Sequence, residues 1–209
     1  TNDVFSIASN TILYSQWSAN ADAAGSVTVS PASVTAGATG QTITFTYTAP
    51  AGGVGSGEVD IDVPAAWSAP STTNGNAGCT TASTGSITIS SRTIQVTGVN
   101  LTGGQTLTVQ YGAKTGACNT APGATVPGSP TVPAAFSTKE ATTALGTPAT
   151  ILVQPSVTVN SASAADGTGT LSVSPGSVLQ GDTNQTVTFT YTAAAGGTSS
   201  GELDIVVPS

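Results

Sequence analysis

The stretch Gly25 to Pro64, GSVTVSPASVTAGATGQTITFTYTAPAGGVGSGEVDIDVP, returns without a gap at Gly169 to Pro208 as GTLSVSPGSVLQGDTNQTVTFTYTAAAGGTSSGELDIVVP. Pro31 maps to Pro175, an offset of 144 positions (175 − 31), and Gln41/Gln185, Tyr47/Tyr191 and Gly57/Gly201 keep it. Self-similarity at a fixed long period marks an array of modules. Inside the repeat the apolar period is two. Ile43, Phe45 and Tyr47 share one face and Thr42, Thr44, Thr46 and Thr48 the other, while Val59, Ile61 and Val63 alternate with Glu58, Asp60 and Asp62. That is the pattern of half-buried strands.

Further alternating runs fall at Val27–Val29, Ile87–Ile89, Ile94–Val96, Leu107–Tyr111, around Phe136 and at Val157–Val159. They are rich in Thr, Ile, Val and Tyr, which fit a pleated surface. Ala51-Gly52-Gly53, Asn74-Gly75-Asn76, Gly103-Gly104 and the Pro-spaced stretch Asn119 to Pro133 separate them with turn chemistry. Roughly seven to nine short strands of this kind predict an all-β fold, an antiparallel immunoglobulin-like β-sandwich. The label is architectural, because Trp67 precedes both cysteines and the antibody Cys…Trp…Cys order is missing.

The organisation expected is a strand segment at 1–24, a complete repeat at 25–159, a linker at 160–168 and the first part of a second repeat at 169–209. The second copy holds only about the first three strands of a module, so Val187, Phe189, Tyr191, Leu203, Ile205 and Val207 lack a second sheet in their own chain. An apolar face of that size is expected to be covered. Either the chain continues into the missing strands, or another copy supplies them. For the second case the natural donor is the N-terminal segment with Val4, Phe5, Ile7, Ile12, Leu13, Tyr14 and Trp17, in a head-to-tail contact.

Of the 209 residues, 38% are apolar but only 6% charged, and there is no His. The sole cations are Arg92, Lys114 and Lys139 against ten Asp and Glu, a formal charge of −7. The usual acid–base residue, the commonest zinc ligand and a basic nucleic-acid footprint are thus all missing. No run reaches the ~18 apolar residues of a membrane helix. The expectation is a non-enzymatic protein that binds no nucleic acid, does not insert into a membrane and needs no cofactor.

Cys79 and Cys118 are the only cysteines, both in Gly/Thr/Asn-rich sequence that reads as loop. A disulfide between them is the simplest account, the alternative being two unpaired thiols. It would close a loop of about 40 residues and stabilise by roughly 4 kcal/mol in the chain-entropy model.

Two sets of carboxylates are weak candidates for a metal such as Ca²⁺. Glu58, Asp60 and Asp62 stand two residues apart on one strand face. The competing reading is a solvated face that keeps an exposed strand from pairing with other chains. Asp22 and Asp166 each precede a copy, where a cation would stiffen a junction and a plain polar linker would need none. The threonine row reads as ordinary outward strand residues, and no side-chain amide crosslink is expected at Lys114 or Lys139. Asn100-Leu101-Thr102 and Asn184-Gln185-Thr186 match the glycosylation pattern, which arises often in Thr-rich sequence.

The strings SVTVSPASVTAGATGQTITFTYTA, GEVDIDVPAAWSAPST, TASTGSITISSRTIQVTGVNLTGGQTLTVQYG and AAFSTKEATT together resemble the tandem immunoglobulin-like β-sandwich repeats of large secreted or surface-attached bacterial proteins, as in adhesin stalks and extracellular filaments. The resemblance implies a spacer or assembly module at the cell surface, with neighbouring modules or copies of itself as partners. A second reading makes the Lys114–Pro133 loop, held by Cys118, a site for a carbohydrate or protein.

Overall fold

The computed structural model describes residues 21–164, 166–198 and 201–207, side chains of 131 and 132 excepted. The chain divides into two compact units, with the boundary between Asn160 and Ser161. In chain order the first unit holds β1 (Ser26–Ser30), β2 (Ser33–Thr35), β3 (Ile43–Thr48), β4 (Val54–Asp62), β5 (Pro70–Ser71), β6 (Gly78–Ala82), β7 (Ser86–Ser90), β8 (Thr93–Leu101), β9 (Thr106–Tyr111), β10 (Thr131–Ala135), β11 (Ser137–Ala141), β12 (Ala149–Thr150) and β13 (Ser156–Asn160). The second unit holds β14 (Thr170–Ser174) and β15 (Thr188–Thr192). The fold is all-β, and a single 3-10 turn at Gly116–Cys118 is its only helical element among the described residues.

One five-stranded sheet runs β1-β3-β9-β6-β5 and another β12-β11-β4-β8-β7, with a smaller β10-β13-β2 sheet beside them. Their inward side chains merge into one core. Ile43, Phe45 and Tyr47 from β3, Leu107, Val109 and Tyr111 from β9, Val59 and Ile61 from β4, and Ile94 and Val96 from β8 are all buried. Phe136 lies within it, 5.0 Å from the ring of Phe45 in a tilted pair and 5.3 Å from that of Trp67 in an edge-to-face pair. Such aromatic pairs add about 0.5–1.5 kcal/mol each beyond the burial itself.

Three local expectations are corrected. Pairing is mostly antiparallel, but β2 joins β13 and β5 joins β6 in parallel. Cys79 sits on β6 rather than in a loop, because Gly78-Cys79-Thr80-Thr81-Ala82 is recruited as a neighbour of β9. In the second unit the segment 201–207 forms no strand. Its counterpart β4 is held between β11 and β8, and neither neighbour has an equivalent within residues 169–209. A strand with no ladder partners does not persist in water.

The second unit repeats the first in register. Ser26↔Thr48 through Ser30↔Thr44 in β1·β3 become Thr170↔Thr192 through Ser174↔Thr188 in β14·β15, each pair displaced by 144 (170 − 26). What differs is burial: Phe45 and Tyr47 are 1% exposed, Phe189 41% and Tyr191 40%.

Candidate functional site

Polar groups gather where β1 meets the strand that follows Phe136. Glu140 on β11 is fully buried, and its carboxylate takes two donors from the other sheet. Tyr47 Oη donates to Oε1 at 2.6 Å and the Gly25 N–H to Oε2 at 2.7 Å. Burial, then Glu140 itself, push the Tyr47 phenol well above its usual range, so it remains the donor. A Cβ on Gly25 would collide with both the Tyr47 ring and the Glu140 carboxylate, so glycine is what lets the chain pass. Two residues beyond Glu140, Thr142 donates its N–H and its hydroxyl to Asp22 Oδ1, at 2.8 and 3.0 Å. The latch therefore closes the module start onto β11 through carboxylates at both steps.

Asp22, an expected junction ligand, is thus held by Thr142, while its counterpart Asp166 is exposed. The other carboxylate set is also placed differently from expectation. β4 is a central strand, so Glu58, Asp60 and Asp62 do not guard a free edge. Glu58 accepts from the Gln95 amide at 3.2 Å and Asp62 from the Thr93 hydroxyl, both across on β8. Asp60, only 9% exposed, lies between Lys139 and Gln95 in the ladder, and its Oδ1 has no hydrogen-bond partner. Burial, then Glu58 and Asp62, push its carboxyl up to about 7, against the pull of Lys139. Among the described residues no group of three or more His, Cys, Asp or Glu is disposed to hold a metal ion.

Cys79 and Cys118 are bonded, with Cα atoms 5.8 Å apart, and form a small buried cluster with Ala113 and Ala121. Polar groups of the loop they staple bond to neighbouring loops at the exposed surface. Lys114 Nζ donates to the Gly40 carbonyl at 2.8 Å, Asn74 Nδ2 to Asn119 Oδ1 at 2.9 Å, and the Thr120 N–H to Asn74 Oδ1 at 3.0 Å. The third cation, Arg92, is equally occupied: it donates to the carbonyls of Val63, Pro64 and Trp67 at 2.9, 2.6 and 2.7 Å, fixing the turn after β4. Thr42, Thr44, Thr46 and Thr48 are half-buried beside the buried Ile43, Phe45 and Tyr47. Val4, Phe5, Ile7, Ile12, Leu13, Tyr14 and Trp17 lie outside the described residues.

In the second unit a groove of ≈ 440 Å³ is lined by Gly169, Leu171, Tyr191, Gly201, Leu203 and Asp204, among others. It contains the counterparts of Gly25 and Tyr47 without a counterpart of Glu140. Sequence reasoning had the tyrosine and the glycine in hand but missed their pairing with Glu140. The available signal was the retention of Gly169 and Tyr191 at an offset of 144 (169 − 25). Comparison with family models, characterised proteins and solved structures finds no match for the chain.

Proposed function

We propose that this chain is a non-catalytic structural segment of an extracellular filament or adhesin stalk, built from immunoglobulin-like β-sandwich modules in tandem. The observation that carries the reading is the strand register reproduced 144 positions on (170 − 26), with the same side chains buried in the first unit and exposed in the second. Modules that touch only their neighbours build a quasi-one-dimensional rod, and a rod needs packed ends rather than an active site. Two features agree with the reading. The buried Glu140 carboxylate serves to join the sheets, and the Cys79–Cys118 disulfide suits an oxidising compartment. The partners are neighbouring modules or further copies, joined head to tail.

Sedimentation velocity and negative-stain electron microscopy of the full chain over a wide concentration range test this. The expected result is concentration-dependent association into end-to-end oligomers. A compact monomer at every concentration overturns it.

A further inference from the structure

We infer that the second unit is an acceptor for one kind of β-strand: an extended segment bearing an aromatic residue and, four positions on, a carboxylate. The strand belongs to the same repeat type and docks beside Gly201. The inference rests on the assembly reading above and names the chemistry of the partner.

The first unit displays the filled form of the site. There β11 brings Phe136 against Phe45 and, four positions later (140 − 136), sets Glu140 under Tyr47 Oη and the Gly25 N–H. It also pairs with β4 from Ser137↔Asp62 to Ala141↔Glu58. The second unit keeps three of the receiving groups, with Phe189 for Phe45 and Tyr191 for Tyr47 on a strand in the same register and Gly169 for Gly25 just before β14, while Trp67 has no counterpart within residues 169–209. Among the described residues no acceptor is bonded to Tyr191 Oη, and the groove beside it is open.

Gly201 is an independent witness. In the first unit a Cβ on its counterpart Gly57 would collide with the carbonyl of Ala141, at the end of β11, so glycine is required for that strand to approach. In the second unit a Cβ on Gly201 would meet nothing closer than Thr198 at 3.4 Å, an ordinary contact, and its φ is not in the left-handed region. Nothing among the described residues of that unit asks for a glycine at 201. An incoming strand does.

The chemistry also selects the occupant. Of the four phenylalanines, only Phe136 is followed four positions on by a carboxylate; Ser9, Ala49 and Ala193 occupy that place after Phe5, Phe45 and Phe189. The segment around Phe5 therefore lacks the group that Tyr191 and Gly169 would receive. Docking of a β11-type strand supplies Glu202–Val206 with a ladder partner and lets Leu203 and Ile205 turn inward as Val59 and Ile61 do, which is strand addition to an open sheet edge.

The probe is a fluorescein-labelled peptide of residues 133–144, PAAFSTKEATTA, titrated with the full chain and read by anisotropy. The expected result is saturable binding of one peptide per chain. Affinity should fall about tenfold or more for a peptide carrying Glu140→Ala, and likewise for chains carrying Tyr191→Phe or Gly201→Val. Both chain variants should keep the wild-type thermal midpoint of the first unit, which excludes unfolding as the cause. Absence of saturable binding, indifference to these three changes, or equal competition by a peptide of residues 1–20 overturns the inference. Should the chain assemble by sedimentation while the peptide fails to bind, the occupant is wrong and the assembly reading stands.

Discussion

The hydroxyl of Tyr47 donates to Glu140 Oε1 at 2.6 Å, tying β3 in one sheet to β11 in the other across 93 positions of sequence. Hydrogen bonds to a buried charged group are worth about 1.5–3 kcal/mol, because the acceptor cannot turn to water instead. Tyr47→Phe is therefore expected to destabilise the first unit by that amount and lower its calorimetric midpoint by on the order of 5 °C. Tyr191→Phe, the same change 144 positions on (191 − 47), should leave the midpoint of the unassembled chain unchanged. Equal shifts for the two variants would show that the Tyr47–Glu140 bond is not what distinguishes the copies.

Asp22 supports the matching prediction at the module start. Its carboxylate accepts both the N–H and the hydroxyl of Thr142. Asp22→Ala should lower stability by about 1–3 kcal/mol, measured by urea unfolding. Asp166→Ala, at an exposed residue, should stay within about 0.5 kcal/mol of wild type. If the Asp22 variant is as stable as wild type, the latch contributes nothing to the fold.

These pairs show which features could be read from the sequence. Ile43, Phe45 and Tyr47 alternate with threonines, and local alternation is enough to place a strand and choose its inward face. Glu140 could not be assigned this way: a lone carboxylate in Ser-Thr-Lys-Glu-Ala reads as surface, and its donors come from residues far away in sequence. Asp60 was misplaced for a related reason. Alternation says which face a residue takes but not whether its strand is central, and β4 turned out to have neighbours on both sides. Cys79 read as loop because Gly, Thr and Asn surround it, while its strand is short and defined by pairing with β9.

The disulfide gives a third expectation. Cys79 and Cys118 are 39 positions apart, and most core strands (β1, β3, β4, β11 and β13) lie outside the loop that they close. Reduction should remove roughly 4 kcal/mol in the chain-entropy model and lower the midpoint by on the order of 10 °C, with the far-ultraviolet sheet signal retained at 25 °C. Loss of that signal on reduction would mean that the staple is needed for folding rather than for margin.

Asp60 gives the last prediction, a dependence on pH. Its carboxyl is buried between Glu58 and Asp62 on its own strand, with Gln95 and Lys139 across, and is pushed up to about 7. An unfolded aspartate titrates near ~3.9, so between about pH 4 and 7 the folded chain holds a proton that the unfolded chain has released. Stability from this group is thus fully present below about pH 4 and is lost as pH rises through about 7. Asp60→Asn keeps the shape and removes the ionisation. The variant should match wild type near pH 4 and exceed it by on the order of 2 kcal/mol at pH 8. The quantity to measure is the difference in unfolding free energy between variant and wild type at each pH. A difference that grows from pH 4 to pH 8 is the expected result. One that is constant, or that favours wild type at pH 8, would mean that Lys139 compensates the Asp60 charge fully and that the carboxylate row contributes to stability when ionised.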